Sequence, residues 1–227
     1  MKKTTVFNLI ILDESGSMSS VTRQTVDGCN ETLNLIRSLE AAHSDTQRNL
    51  VSIYLFQTNA QVPSRYVAKN KPIAEVDNMT DQVYKPWGGT PLLDAVGATL
   101  VDLEAVASTH EDATGTVTII TDGEENSSIR YSWKQVSGII SRMKEMGWTF
   151  NFIGANIDVK RVSSRMNIDN SMAFTNDVDG TRAMFARYND CLRNYEESRI
   201  AEEEAMADEP QETRVNARKK RAFGFFK

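Results

Sequence analysis

The amino-acid sequence predicts an α/β domain: a doubly wound, Rossmann-like, mostly parallel six-stranded sheet with helices on both faces and one antiparallel edge strand. Three observations lead there. Apolar runs without strict alternation take turns along the chain with stretches of helical period, as expected of strands buried on both faces and joined by helical crossovers. Two of these runs end in a carboxylate followed by small residues, at Asp13 and at Asp122. One connection, at residues 58–60, is too short for a helix, so the strand after it turns back antiparallel to the one before.

The first strand is read at residues 5–12, and it stops at Asp13-Glu14-Ser15-Gly16-Ser17. Residues 21–42 follow as a helix, with Val26, Cys29, Leu33, Ile36 and Leu39 at three- and four-residue steps. Residues 50–56 form the second strand, and the more polar residues 61–67 form the edge strand, where Pro63 is tolerated. Next comes Pro86-Trp87-Gly88-Gly89-Thr90-Pro91, a tight loop leading into a helix with Thr90 at its N-cap and Pro91 in its first turn. After a loop ending at Gly115, residues 116–121 form a β-branched strand that runs into Asp122-Gly123. Residues 131–146 read as a helix closed by Gly147, residues 148–154 as a strand and residues 158–165 as a short helix. A last strand at residues 171–175 and an amphipathic helix at residues 180–200 complete the domain, assigned to residues 1–200.

Beyond that point the composition changes. Residues 196–212 hold eight acidic side chains and one basic, while residues 214–227 hold six basic and none acidic. Residues 201–227 are therefore expected to be a charged, disordered C-terminal tail. Its end, with four contiguous charges at Arg218-Lys219-Lys220-Arg221 and then Phe223, Phe225 and Phe226, suits either a solvated tail or a docking peptide. Such a peptide would dock on a partner, on an anionic surface or on the acidic segment just before it.

Composition narrows the function classes. A net charge of −5 argues against nucleic acid as a partner, and no apolar run approaches the roughly 18 residues of a membrane helix. Lys2 and Lys3 precede an apolar run as in a signal peptide, but Asn8 interrupts it and Asp13-Glu14 stand where small cleavage-site residues belong. The run reads as a core strand and the protein as cytoplasmic. Cys29 and Cys191 lack metal-ligand spacing and read as free thiols.

Asp13, Ser15 and Ser17 place one carboxylate and two hydroxyls at the end of a central strand, where open α/β sheets bind ligands. Hard oxygen donors of this kind suit a small divalent cation. Together with Gly89-Thr90-Pro91 and Thr121-Asp122-Gly123, this set resembles the metal-ion-dependent adhesion site of the von Willebrand factor A domain family, over residues 4–195. The resemblance implies that Ser15, Ser17 and Thr90 supply hydroxyl ligands and that Asp13 and Asp122 bind Mg²⁺ or Mn²⁺ directly or through water. It also implies a protein partner that completes the site with an Asp or Glu side chain, in an adaptor or scaffold role.

Glu14 fills a position the motif leaves free and is expected at the rim of the site, as are Trp87 and Glu124. For Glu124, Glu125 and Asn126 plain loop solvation is the alternative; for Trp87 it is packing. Asp94, in the first helical turn after Thr90, is explained by the helix dipole. A phosphoester hydrolase using the metal, and a metal-free structural scaffold, are the competing readings. Against an enzyme, no nucleophile or general base accompanies the metal residues, and His43 and His110 fall at the far ends of predicted helices. Residues 177–180 mimic the start of a calcium loop, but Thr175 and Ala186 break that pattern.

Overall fold

A computed structural model of the protein describes residues 3–226; Lys2 and Lys227, which figure in the terminal charge patterns above, lie outside the described residues. Strand β1 (Thr4–Asp13) is buried at all ten positions. It is buried edgewise too, because β2 (Gln47–Phe56) and β4 (Ala113–Thr121) both run parallel to it. β3 (Arg65–Pro72) pairs antiparallel with β2, while β5 (Thr149–Gly154) and β6 (Asn170–Ala173) extend the sheet beyond β4. The strand order is β3-β2-β1-β4-β5-β6, so the chain winds outward from β1 on one side and from β4 on the other.

Apolar side chains of the strands feed two cores, one on each face of the sheet. On one face, helices α1 (Thr22–Ala42) and α5 (Val178–Ala205) pack their stripes, with Leu33, Ile36, Phe185 and Leu192 against Ile10, Leu12 and Ile53. The other is covered by α2 (Leu92–Ala107), α3 (Trp133–Glu145) and α4 (Val159–Arg165), whose Val96, Leu100, Ile140 and Val162 meet Leu9, Ile11, Ile119 and Phe152. Helix α3 starts with a reciprocal capping box between Ser132 and Gln135.

Three expectations need correction. The edge strand begins at Arg65, leaving Pro63 in the preceding loop, because the antiparallel ladder is set by Arg65 opposite Leu55. Gly115 lies inside β4 rather than ending a loop, since the β1 ladder continues down to Ala113. The third correction concerns residues 201–227, where a disordered tail was expected. Helix α5 runs on to Ala205, a second helix α6 spans Gln211–Arg221, and the segment folds back on the domain.

The cause is charge pairing that composition alone hides. Arg199 is fully buried, held by Glu196 and Glu203 at 2.7 and 2.8 Å. Arg218, also buried, bonds Glu203 and Asp112, each at 2.9 Å, and Arg214 reaches Asp112 at 2.7 Å. Burial opposes the charge on Asp112, but Arg218 and Arg214 still hold its carboxyl below the usual range. Phe225 completes the docking, buried beside the rings of Tyr188 and Tyr195 at 5.9 and 5.3 Å. The peptide thus docks on its own chain, in part on Glu202 and Glu203 of the acidic stretch just before it and in part on Asp112 and Glu145 of the domain.

Candidate metal centre

β1 and β4 are hydrogen-bonded neighbours from which the chain winds in opposite directions, so their C-terminal ends open the crevice where such sheets bind ligands. Asp13 ends β1 and Asp122 directly follows β4. Leu12 lies opposite Ile120 in the ladder, which sets Asp13 beside Thr121, and the Thr121 hydroxyl donates to Asp13 Oδ2 at 2.5 Å. The backbone N–H of Ser15 donates to Asp13 Oδ1 at 2.7 Å. Ser15 Oγ and Ser17 Oγ lie 3.2 Å apart, and Ser17 Oγ donates to Asp122 Oδ1 at 2.6 Å. Two residues that are 109 apart in number are thus joined through the backbone N–H of Ser15 and the hydroxyls of Ser15 and Ser17.

The third segment is tied to both of the others. Gly16 N donates to Gly88 O at 3.0 Å and Trp87 N to Glu14 O at 2.9 Å, linking residues 86–90 to the loop after β1. On the other side Thr90 N donates to Asn126 Oδ1 at 2.9 Å, and Asn126 N to Thr90 O at 3.2 Å. Gly88 takes a φ of +69°, a conformation that favours glycine and lets the loop double back. Thr90 is not the N-cap of α2, contrary to expectation: α2 starts at Leu92 and its first N–H groups go to Glu125 Oε2 and Ser128 Oγ. The Thr90 hydroxyl, released from capping, lies against Gly123, where a Cβ would stand 3.1 Å from it. The structure therefore brings Asp13, Ser15, Ser17 and Asp122 into one network, with Thr90 alongside.

Burial raises the pKa of both carboxylates. Asp13 is pushed up to about 6 by desolvation, which outweighs the bonds from Thr121 and Ser15, with the charge of Asp122 adding to the rise. Asp122 is raised as well, for the same first reason. Two buried acids sharing hydroxyl neighbours, with no Lys or Arg among the described residues paired to either, favour a positive charge at this place.

Among the rim residues the outcomes differ. Glu14 is a correction. It is fully buried, and its carboxylate accepts two bonds from Arg65 at 2.7 and 3.1 Å, one from Gln57 Nε2 at 2.7 Å and one from Lys85 N at 2.7 Å. It ties loops together and cannot meet a partner. Trp87 is 65% exposed beside the Gly88 turn, and Glu124 is exposed and paired with Arg161 at 2.7 Å. Glu125 caps α2, and Asp94 accepts the N–H groups of Ile129, Arg130 and Tyr131, a loop-holding duty beyond the dipole effect.

Sequence reasoning missed Asn176. Its amide Nδ2 donates to Asp122 Oδ2 at 2.5 Å and reaches Ser17 O at 3.4 Å. The available signal was its place just past β6, at the same end of the sheet as Asp13 and Asp122.

These residues fit a small hard cation. The donors are carboxylate and hydroxyl oxygens, and Asn176 Oδ1 is a buried acceptor with no donor among the described residues. Among the described residues no three His, Cys, Asp or Glu side chains gather as a metal-holding group, so any cation here depends on the hydroxyls.

No protein-family model matches the chain, and neither does any curated protein sequence. Solved structures do match in fold. The manganese-loaded TRAP protein of Plasmodium vivax superposes with a TM-score of 0.53 at 15% identity, over 79% of this chain and 71% of that one. The SpRpn10 VWA domain gives 0.52 at 10% identity, over 80% and 94%. The chain has the von Willebrand factor A fold. Proximal thread matrix protein 1 of the mussel byssus, with a zinc-occupied adhesion-site motif, gives 0.54 at 12% identity over 81% of this chain. The chain spans 44% of that protein's length, and 30% of the pilus adhesin SpaC of Lactobacillus rhamnosus.

Proposed function

We propose that this von Willebrand factor A fold serves as a divalent-metal-dependent protein-interaction module, with Asp13, Ser15, Ser17, Thr90 and Asp122 holding Mg²⁺ or Mn²⁺. The observation that carries the reading is the network Asp13–Ser15–Ser17–Asp122, closed across β1 and β4 at the switch point of the sheet. When bound, the cation supplies an electrophilic centre for an oxygen ligand. The two carboxylates balance the charge of such a cation, but five protein oxygens leave one of its six positions open, and the hard oxygen of an Asp or Glu carboxylate of another protein fits there.

Thr121 and the Ser15 N–H orient Asp13, while Ser17 and Asn176 orient Asp122. Trp87 and Glu124 stand exposed nearby as contacts for a partner. We read the module as an adaptor rather than an enzyme. His43 and His110 follow the C-terminal ends of α1 and α2, where β2 and β4 begin, at the opposite end of the sheet from Asp13. Free Cys29 and Cys191 suit a cytoplasmic setting, and no described helix is long and apolar enough to cross a membrane.

Calorimetric titration of Mg²⁺ and Mn²⁺ into metal-stripped protein, with Asp122→Ala alongside, tests the reading. Saturable one-site binding that the substitution abolishes is expected, followed by chelator-sensitive capture of an acidic partner. Absence of binding both alone and with acetate or a Glu peptide present would overturn it.

A further inference from the structure

We infer that Asn176 sets the cation selectivity of this site by holding Asp122 to ligation through a single oxygen. The inference rests on the metal reading above. Both oxygens of Asp122 carry a donor: Ser17 Oγ at 2.6 Å on Oδ1 and Asn176 Nδ2 at 2.5 Å on Oδ2. The same amide lies 3.4 Å from Ser17 O, so Ser17, Asp122 and Asn176 close a ring. Gripping a cation with both oxygens sets the cation and the Asn176 amide in competition for the lone pairs of Oδ2, whereas ligation through Oδ1 alone leaves the Asn176 bond as it is.

That requirement separates cations by size. Calcium takes six to eight oxygens at about 2.3–2.6 Å and commonly uses both oxygens of a carboxylate. Magnesium takes six at about 2.0–2.1 Å and keeps waters among them, so one oxygen from Asp122 serves it. A donor fixed on Oδ2 therefore works against calcium and leaves magnesium and manganese undisturbed.

The placement of Asn176 supports this assignment over a packing role. It stands one residue before the N-cap of α5, Asp177, whose Oδ1 accepts the Gly180 N–H at 2.7 Å and makes no bond to Asn176. A polar side chain kept for the fold usually has both ends bonded. Here the amide nitrogen is committed to Asp122 and Ser17, while the buried Oδ1 finds no donor among the described residues. Partners of this kind, one step behind a ligand, typically change metal affinity by about 10–100-fold when removed.

The test compares Mg²⁺ and Ca²⁺ affinities by calorimetry in the full chain, Asn176→Ala and Asp177→Ala, with melting curves of the metal-stripped proteins to show that each is folded. The Asp177 substitution loosens the start of α5 without touching the Asp122 donor. Asn176→Ala is expected to shift the ratio of Mg²⁺ to Ca²⁺ affinity toward calcium by about tenfold, with the ratio unchanged in Asp177→Ala. An unchanged ratio in Asn176→Ala, or an equal shift in both variants, overturns the assignment while leaving the metal site standing. If the unaltered chain binds neither cation, the metal reading itself fails and this inference falls with it.

Discussion

Replacing Glu14 with Ala should destabilise the whole domain, although the residue sits between two candidate metal donors. The Glu14 side chain is 0% exposed, and Arg65 retains 27% of its side chain in water. Removing one partner of a buried ion pair costs about 3–5 kcal/mol, and the solvent left to Arg65 puts this case near the lower end. Gln57 Nε2 and Lys85 N lose their acceptor as well, while Arg65 keeps its bond to Val83 O at 2.7 Å. A loss of about 3 kcal/mol corresponds to a fall in melting temperature of about 10 °C for a domain of this size. Urea unfolding of Glu14→Ala, Arg65→Ala and the double variant measures it. The double variant should fall short of the summed single losses by about 1–3 kcal/mol, because the two side chains share one interaction. A loss below about 1 kcal/mol, as for an exposed pair, would refute the buried-anchor assignment and return Glu14 to the rim.

The raised Asp13 carboxyl and the docked tail give three more expected outcomes. Burial raises the Asp13 carboxyl to about 6, above its unfolded value of about 4, so the folded state binds more protons between them. Stability of the metal-stripped protein should carry a contribution that is full below about pH 4 and is lost as pH rises through about 6, amounting to roughly 3 kcal/mol. Urea midpoints across that window, compared with Asp13→Asn, isolate it; parallel profiles for the two proteins would count against it. On the proposed metal reading, magnesium affinity should weaken below about pH 6, where Asp13 would have to release its proton to act as a ligand. At the tail, Phe225→Ala removes a buried ring and should cost about 3–4 kcal/mol of docking. Trypsin should then cut within residues 214–221 at doses that leave the unaltered chain intact, and equal resistance of the two would contradict the docking.

Much of the fold was legible because its signals are local. The two-faced apolar runs at residues 5–12 and 116–121, and the helical stripe from Val26 to Leu39, are set by near neighbours and became β1, β4 and α1. The connection after β2 is longer than the turn read at residues 58–60, running over residues 57–64, yet it is still too short for a crossover and gives the antiparallel edge. Where sequence failed, the deciding partner was distant. Nothing beside Glu14 announces Gln57, Arg65 and Lys85, so a carboxylate in a polar loop read as exposed. Asn176 is neutral, belongs to no motif and lies 54 positions from the carboxylate it holds. In the tail, two blocks of opposite sign each read as solvated because each was weighed alone. Arg199 inside the acidic block, and Asp112 across the sheet, are what turn the pair of blocks into a docked element.

The switch point between β1 and β4 divides the labour of the molecule. Asp13 and Asp122 are mounted on two buried strands, whereas Trp87, Glu124 and the 92% exposed Ile129 ride on loops that reach outward from them. Changes at those outer positions alter the exposed surface while the two cores stay as they are. A domain built this way is open to evolutionary change: substitutions in the loops can alter the outer surface while the frame that carries Asp13 and Asp122 is inherited intact.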